Sequence, residues 1–309
     1  MIELITALLS ATIVYAVSVM YAGIGETYSE RAGVMNLGVE GIMLTGGVTG
    51  CLVAYKTEKI LLALLTVIGV GIVFGLVFAF LTVTLQSDQT VCGMAMLVFG
   101  TGLSGFLGKE IASKPLSIKF VKIPVPVLSK IPVIGEVLFN QNALVYAMYL
   151  ILPLSIFYIY YTRWGLKLRA LGEDPAVLDA AGENVFAMRY GYIMFGTMMM
   201  AISGLFVSLA QTNVWQDNMT AGKGWIAFAL VAFSAWNPLK LALGALLFGL
   251  ISNLGSNLQI YLPKVPSEVY SVMPYIATII VFILSTGNFR KKHTTQPAAL
   301  AKPYNRENR

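Results

Sequence analysis

The sequence is poor in the residues that most chemistry uses. One His in 309 residues argues against a His-based catalytic site or metal cage. Two Cys, Cys51 and Cys92, both lie in apolar runs, which excludes a disulfide scaffold. They read as small lipid- or core-facing residues. Charged residues make up 12%, against about 25% in an average soluble domain. A soluble fold of this size could not cover its surface with so few. GxxxxGK[ST] is absent, so this chain hydrolyses no ATP through a P-loop of its own. Only Glu3 is charged before the first apolar run, so that run lacks the basic start of a cleaved signal peptide. What is abundant is apolar: 57% of residues, which excludes disorder. The net charge of +6 does not indicate nucleic acid, because the basic residues cluster at the ends of apolar segments.

Charges are costly in hydrocarbon, at least ~2.5–3.5 kcal/mol each, so gaps between them mark candidate spans. Nine gaps qualify: 4–25, 41–55, 60–87, 89–108, 137–162, 190–216, 224–239, 241–263 and 269–289. Seven reach the ~17–25 residues a helix needs to cross a bilayer. The gap at 41–55 can extend back through 36–40. The gap at 224–239 is the weakest, a tilted or broken span or half of a hairpin. The predicted fold is all-α, a polytopic bundle of about nine membrane helices (eight to ten). Alternating ten-residue strands of a β-barrel are not seen. The transmembrane domain covers 1–289 and a basic tail covers 290–309. All seven Arg and that tail fall on one side, which the positive-inside rule makes cytosolic.

Three connections are long. The stretch 109–142 is Lys- and Pro-rich and predicts extended segments and short turns on the outer side, as a solvated cap or a docking surface. The stretch 162–190 predicts a short helix from Pro175 to Ala181. Asp174 is its N-cap, Pro175 takes the first position, and Gly182 closes it. Val177, Leu178 and Ala181 are expected on one face, as a knob for a protein socket or an interfacial helix on lipid. The tail after 293 is expected to be disordered and to do no more than anchor.

Two motifs are decoys. Gly100-Thr-Gly102-Leu-Ser-Gly105 matches GxGxxG inside an apolar span, where close helix packing explains it better. Asn218-Met-Thr220 matches a glycosylation sequon without secretory context. The informative stretch is 30–50, ERAGVMNLGVEGIMLTGGVTG. Asn36 and Glu40 stand i, i+4 apart among glycines at the start of a span. A carboxylate there is either a functional group inside the membrane or is anchored at the cytosolic rim by Arg31 or a helix end.

That stretch resembles the N-terminal signature of permease subunits of bacterial ABC importers for nucleosides and simple sugars. QSDQTVCGMAMLVFGTGLSGFLGK, GLKLRALGEDPAVLDAAGENVFAMRY and NMTAGKGWIAFALVAFSAWNP resemble later blocks of the same family, in order. The resemblance implies a plasma-membrane transport subunit rather than an enzyme, working by alternating access. It implies a second permease subunit (a related longer chain, or itself), cytosolic ATPases that bind ATP and Mg, and an extracytoplasmic substrate-binding protein. No cofactor is expected on this chain. The segment with Gly172, Glu173, Asp174, Pro175, Val177, Leu178, Ala181 and Gly182 would be the coupling helix against an ATPase. Asn36, Glu40, Gln89, Asn218 and Trp225 are the candidate substrate-pathway residues. A secondary transporter or channel for a small polar solute is the alternative.

Overall fold

The computed structural model describes residues 2–112, 114–261, 265–289 and 296–305. The chain opens with α1 (Ile2–Arg31), α2 (Val39–Thr57), α3 (Ile60–Ala79) and α4 (Gln89–Gly108). The long connection holds β1 (Lys122–Pro124), α5 (Ile134–Phe139) and β2 (Asn140–Asn142). Then come α6 (Ala143–Tyr161), α7 (Arg163–Glu173), α8 (Pro175–Ala180), α9 (Val185–Phe206), α10 (Lys223–Phe233), α11 (Pro238–Tyr261) and α12 (Ser267–Phe289). Short π-helical turns extend α3 through Phe80–Thr84 and α9 through Val207–Thr212.

The centre of the bundle is α1 and α9. They pack on each other, α9 also on α2 and α3, and α1 also on α10 and α11. Both carry apolar residues on every side, as a helix surrounded by other helices does. Closest approach runs through glycines. Gly41 faces the α4 backbone, where a Cβ would sit 2.7 Å from the Leu97 carbonyl oxygen. Gly46 lies as near to Ala201 of α9, with 2.7 Å from such a Cβ to the Ala201 Cα. The small-residue reading of 100–105 therefore holds at Gly100, which packs on Gly41. It fails at Gly102 and Gly105, where a Cβ would meet no neighbouring element within 4 Å among the described residues.

Every apolar window holds helix, and among the described residues six helices are long and apolar enough to cross a membrane: α1, α3, α4, α6, α9 and α11. The other three of the expected nine, α2, α10 and α12, fall short of that measure, each for a physical reason. α2 has 19 residues but carries Glu40, Lys56, four Gly and three Thr along its length. α10 has only 11 residues. In α12 the apolar stretch counted among the described residues, Glu268–Ile280, is 10–17 residues long.

The bundle has two ends. At one, the tail end, Arg31 meets Tyr160 and α7 and α8 lie across the helix termini. At the other, the loop end, Lys56 pairs with Glu110 at 3.5 Å and Lys114 sits over Tyr55. The stretch 109–142 forms short turns and a two-stranded ladder, as its prolines predict. It is tied down by backbone bonds from Leu116 to Asn213 and from Phe120 to Leu209.

The tail is a correction. Residues 296–305 are not loose: Ala299 and Tyr304 are buried against the tail end. The residues 290–295 and 306–309 lie outside the described residues.

Candidate functional site

After α9 the chain loses regular structure. Asn213, Asn218, Ala221 and Gly222 all have positive φ, so 213–222 is a chain of turns. Helix resumes only at Lys223 and runs 11 residues, about 16 Å at ~1.5 Å per residue. The hydrocarbon core is ~30 Å thick. The chain here is therefore broken, a run of turns at 213–222 leading into a helix of about half the length of a span. Irregular backbone at such a depth survives only where protein satisfies its polar groups.

Glu40 satisfies them. Its Oε1 accepts from the Thr220 hydroxyl at 2.5 Å and the Gly222 amide at 2.8 Å. Its Oε2 accepts from the Gly224 amide at 2.6 Å. A negative carboxylate thus caps the free amides at the positive end of α10. Gly224 is needed for the approach, since a Cβ there would lie 2.6 Å from Oε2. Tyr275 of α12 donates to the Ala221 carbonyl and holds the other side of the turn.

The far end of α10 is held as firmly. Trp236 Nε1 donates to Glu30 Oε2 at 2.5 Å. Arg31 Nε donates to the Trp236 carbonyl at 2.8 Å. Ala235 and Trp236 both have positive φ, a strained backbone that these two bonds keep in place. So residues 30, 31 and 40 of one short stretch grip both ends of the half-helix.

Beside the Glu40 cap lies a cavity of about 660 Å³. Leu97, Val98, Thr101 and Gly102 of α4 form one wall. Asn218, Gly222 and Trp225 form the opposite wall, with Glu40 between them. Gly41 abuts Gly100, which puts the cavity about half-way along α4. A mostly apolar cavity of a few hundred Å³ with a few convergent polar groups is what small ligands use. A larger, aromatic groove of about 940 Å³ lies between α6 and α9. Its rims, Leu154 and Phe157, are open apolar surface on the side of the bundle, and it touches neither the broken span nor its cap.

The candidate residues separate into two groups. Glu40, Asn218 and Trp225 come together at the cavity. Asn36 and Gln89 do not. α2 begins at Val39, so Asn36 lies in the preceding turn and shares no helix face with Glu40. Asn36 is fully buried: its backbone N–H donates to Glu26 Oε1 at 2.9 Å and its Oδ1 accepts from the Gly38 amide. Gln89 Oε1 accepts from the Met35 amide at 2.8 Å. Both shape the turn 32–38. Rim anchoring by Arg31 is not found, because Arg31 is engaged by Trp236 and Tyr160; anchoring by a helix end is.

Glu26, Glu30, Thr220, Thr101 and Trp236 were missed. Glu26 and Glu30 ended the first charge-free window and so read as lying beyond the span, yet both are buried. Their i, i+4 spacing on α1 was the available signal. Among the described residues, no group of three or more His, Cys, Asp or Glu could hold a metal.

In the other candidate segment, α8 forms where expected. Asp174 Oδ1 accepts from the Ala176 amide at 2.9 Å, Pro175 opens the helix, and Gly182 has a φ of +84°. Its face differs from expectation. Val177 is 60% exposed and Ala181 is exposed beside it, while Leu178 is turned inward at 7%. Glu173, Asp174 and Gly182 are also exposed; Gly172 and Pro175 are buried. The residues before it are a helix as well, α7, which the sequence reading left as loop.

Known proteins resemble the chain over nearly all its length. A putative glucose ABC transporter permease of Haloferax volcanii is 35% identical across 97% of this chain and 98% of its own. A nucleoside ABC transporter permease of Lactococcus lactis is 30% identical across 89% and 90%. A guanosine ABC transporter permease of Bacillus subtilis is 30% identical across 90% and 92%. No solved structure matches significantly. The family model described as "Branched-chain amino acid transport system / permease component" matches residues 8–282, and with relatives aligned end to end this places the chain in that family, as a membrane permease subunit of an ABC-type transporter.

Proposed function

We propose that this permease carries a nucleoside or simple sugar through the cavity beside Glu40, and that α10 is the element that opens and closes it. The observation that carries the reading is the half-helix gripped at both ends by Glu30, Arg31 and Glu40. A broken span at this depth offers free backbone groups and a hinge in one place. All accepting positions that Glu40 uses are aimed at 220–224, so Glu40 braces the gate. Thr101, Asn218 and the Trp225 face are left for substrate. An indole face suits a purine or a sugar ring, and an amide and a hydroxyl suit ribose or hexose hydroxyls. The similar proteins are named for glucose, nucleosides and guanosine, which share that chemistry.

Family membership supports a fuller assembly. A second permease, the same chain or a longer relative, completes the translocation path. ATPases bind ATP and Mg at the tail end, where the exposed side of α8 (Val177, Ala181 and Gly182, with Glu173 and Asp174) forms the knob. A substrate-binding protein delivers at the loop end. The tail end is cytosolic, since it gathers Arg31, Arg163, Arg169 and Arg189. With α2, α10 and α12 inserted beside the six long helices, the chain would pass through the bilayer in nine segments. ATP binding moves α7 and α8. Gly172 lies against Arg31, where a Cβ would meet the Arg31 carbonyl carbon at 3.1 Å. Arg31 in turn holds Trp236, so motion at the knob has a short route to α10.

Uptake of labelled guanosine and glucose, in cells with and without the transporter, tests the substrate class. Uptake of neither above background sinks it. Reporter fusions within 114–130 and after residue 289 test the orientation.

A further inference from the structure

The C-terminal segment 296–305 has no helix of its own, yet it is seated across five parts of the tail end. The Ala299 amide donates to the Gly172 carbonyl at 2.8 Å, where α7 gives way to α8. Tyr304 Oη donates to Asp179 Oδ2 of α8 at 2.8 Å. The Tyr304 carbonyl accepts from Gln86 Nε2 at 3.0 Å, in the linker between α3 and α4. The Tyr304 ring meets Phe186 in the first turn of α9, with centroids 6.2 Å apart. The Ala299 carbonyl crowds Gly33, where a Cβ would lie 3.2 Å from that oxygen and 3.0 Å from Arg189 Nη2. Leu300 adds an apolar contact with the core.

α8 is in need of such support. It has six residues, and the only ones it buries are Pro175, Leu178 and Asp179. A helix this short does not hold itself, because nucleation is unfavourable and few bonds follow. One outer face must also stay bare if a partner is to dock there. A knob that slips on its base transmits nothing to Arg31 or α10.

We infer that 296–305 is a strap that fixes α8 on the bundle, and that Tyr304, through Asp179, is a positioning residue for the ATP-driven step. The second half rests on the reading of α8 as the ATPase docking element. The strap holds the side of α8 opposite the exposed Val177 and Ala181. It joins α8 to the Gly172–Arg31 contact, since Pro297 also packs against Gly172, with 3.1 Å from a Cβ at 172 to the Pro297 Cβ.

The test uses the assembled transporter with its ATPases and binding protein in lipid. Tyr304→Phe removes the hydroxyl and keeps the ring. Amide exchange in 176–183 should quicken by about fivefold, the equivalent of one net hydrogen bond of ~1 kcal/mol. ATP consumed per substrate carried should rise, while KM for ATP and ATPase copurification stay as in the parent. Asp179→Asn keeps an acceptor oxygen and should restore near-parent coupling where Asp179→Ala does not. Unchanged exchange in Tyr304→Phe, and in a chain ending at Ala301, overturns the strap. Faster exchange with an unchanged coupling ratio overturns the positioning role. Ala181→Glu keeps the two readings apart. If the ATPase still binds and transport persists in that variant, the docking reading fails alone and takes the coupling role with it, and the exchange rates still decide whether the strap holds α8.

Discussion

Replacing Glu40 with Gln changes one oxygen to an NH2 group and removes one charge, with almost no change in shape. In the parent, two carboxylate oxygens receive three donors: Thr220 Oγ1, Gly222 N and Gly224 N. A Gln can place its Oε1 toward Thr220 and Gly222 and keep two of them. Its Nε2 then faces the Gly224 amide, donor against donor, at a separation of 2.6 Å in the parent. Nothing can relieve this by flipping, because the other orientation sets Nε2 against the Gly222 amide. Leaving one buried amide unpaired costs about 1–3 kcal/mol. Losing the charge at the start of α10 removes up to ~2 kcal/mol more in a partly buried setting. The two losses share a cause and do not simply add, so ~2–4 kcal/mol is expected, concentrated in 220–226. That is too little to unfold a bundle of this size and enough to open the turn. The assay is amide exchange at 220–226 alongside uptake, at matched membrane levels. Exchange should rise by two orders of magnitude or so for ~3 kcal/mol, and uptake should fall. Parent-like exchange in 220–226 would refute the cap, and parent-like uptake with fast exchange would refute the gate.

Three further outcomes follow from other contacts. Trp236→Phe leaves Glu30 Oε2 without its indole donor inside the bundle and should destabilise the 231–237 turn by about 1–3 kcal/mol, read as faster exchange there and not at 220–226. Gly41→Val forces a side chain into the Leu97 carbonyl, which a Cβ alone would approach to 2.7 Å, so α2 and α4 must part and the yield of folded protein should collapse. Ala181→Glu places an unpaired charge on the outer face of α8 and should cost several kcal/mol of ATPase binding. Asp174→Ala loses only an N-cap worth ~0.5–2 kcal/mol, so ATPase copurification should suffer more in the first variant than in the second.

Much was legible along the chain, because the signals that carried it are local. Gaps between charges located every long helix, since the penalty for a charge in hydrocarbon acts residue by residue. The Asp174, Pro175 and Gly182 pattern located α8 to within one residue, since capping is settled by a few neighbouring backbone groups. The shortness of the 224–239 window set it apart, as a tilted or broken span or half of a hairpin, without deciding among them. Other features were out of reach. The i, i+4 spacing of Asn36 and Glu40 misled, because only the folded chain shows that α2 starts at Val39. Glu26 and Glu30 looked like the end of a span, because a burial partner such as Trp236, some 200 residues away, leaves no trace in the local pattern. The outward turn of Val177 against the inward turn of Leu178 depends on what lies beneath α8. The tail was taken as disordered from its composition, and composition does not register Tyr304 meeting Asp179 across 125 residues. Periodicity, capping and charge spacing are written in neighbouring residues and so in the sequence. Which polar groups satisfy one another inside a low-dielectric bundle is a matter of non-local pairing, and only the tertiary structure decides it.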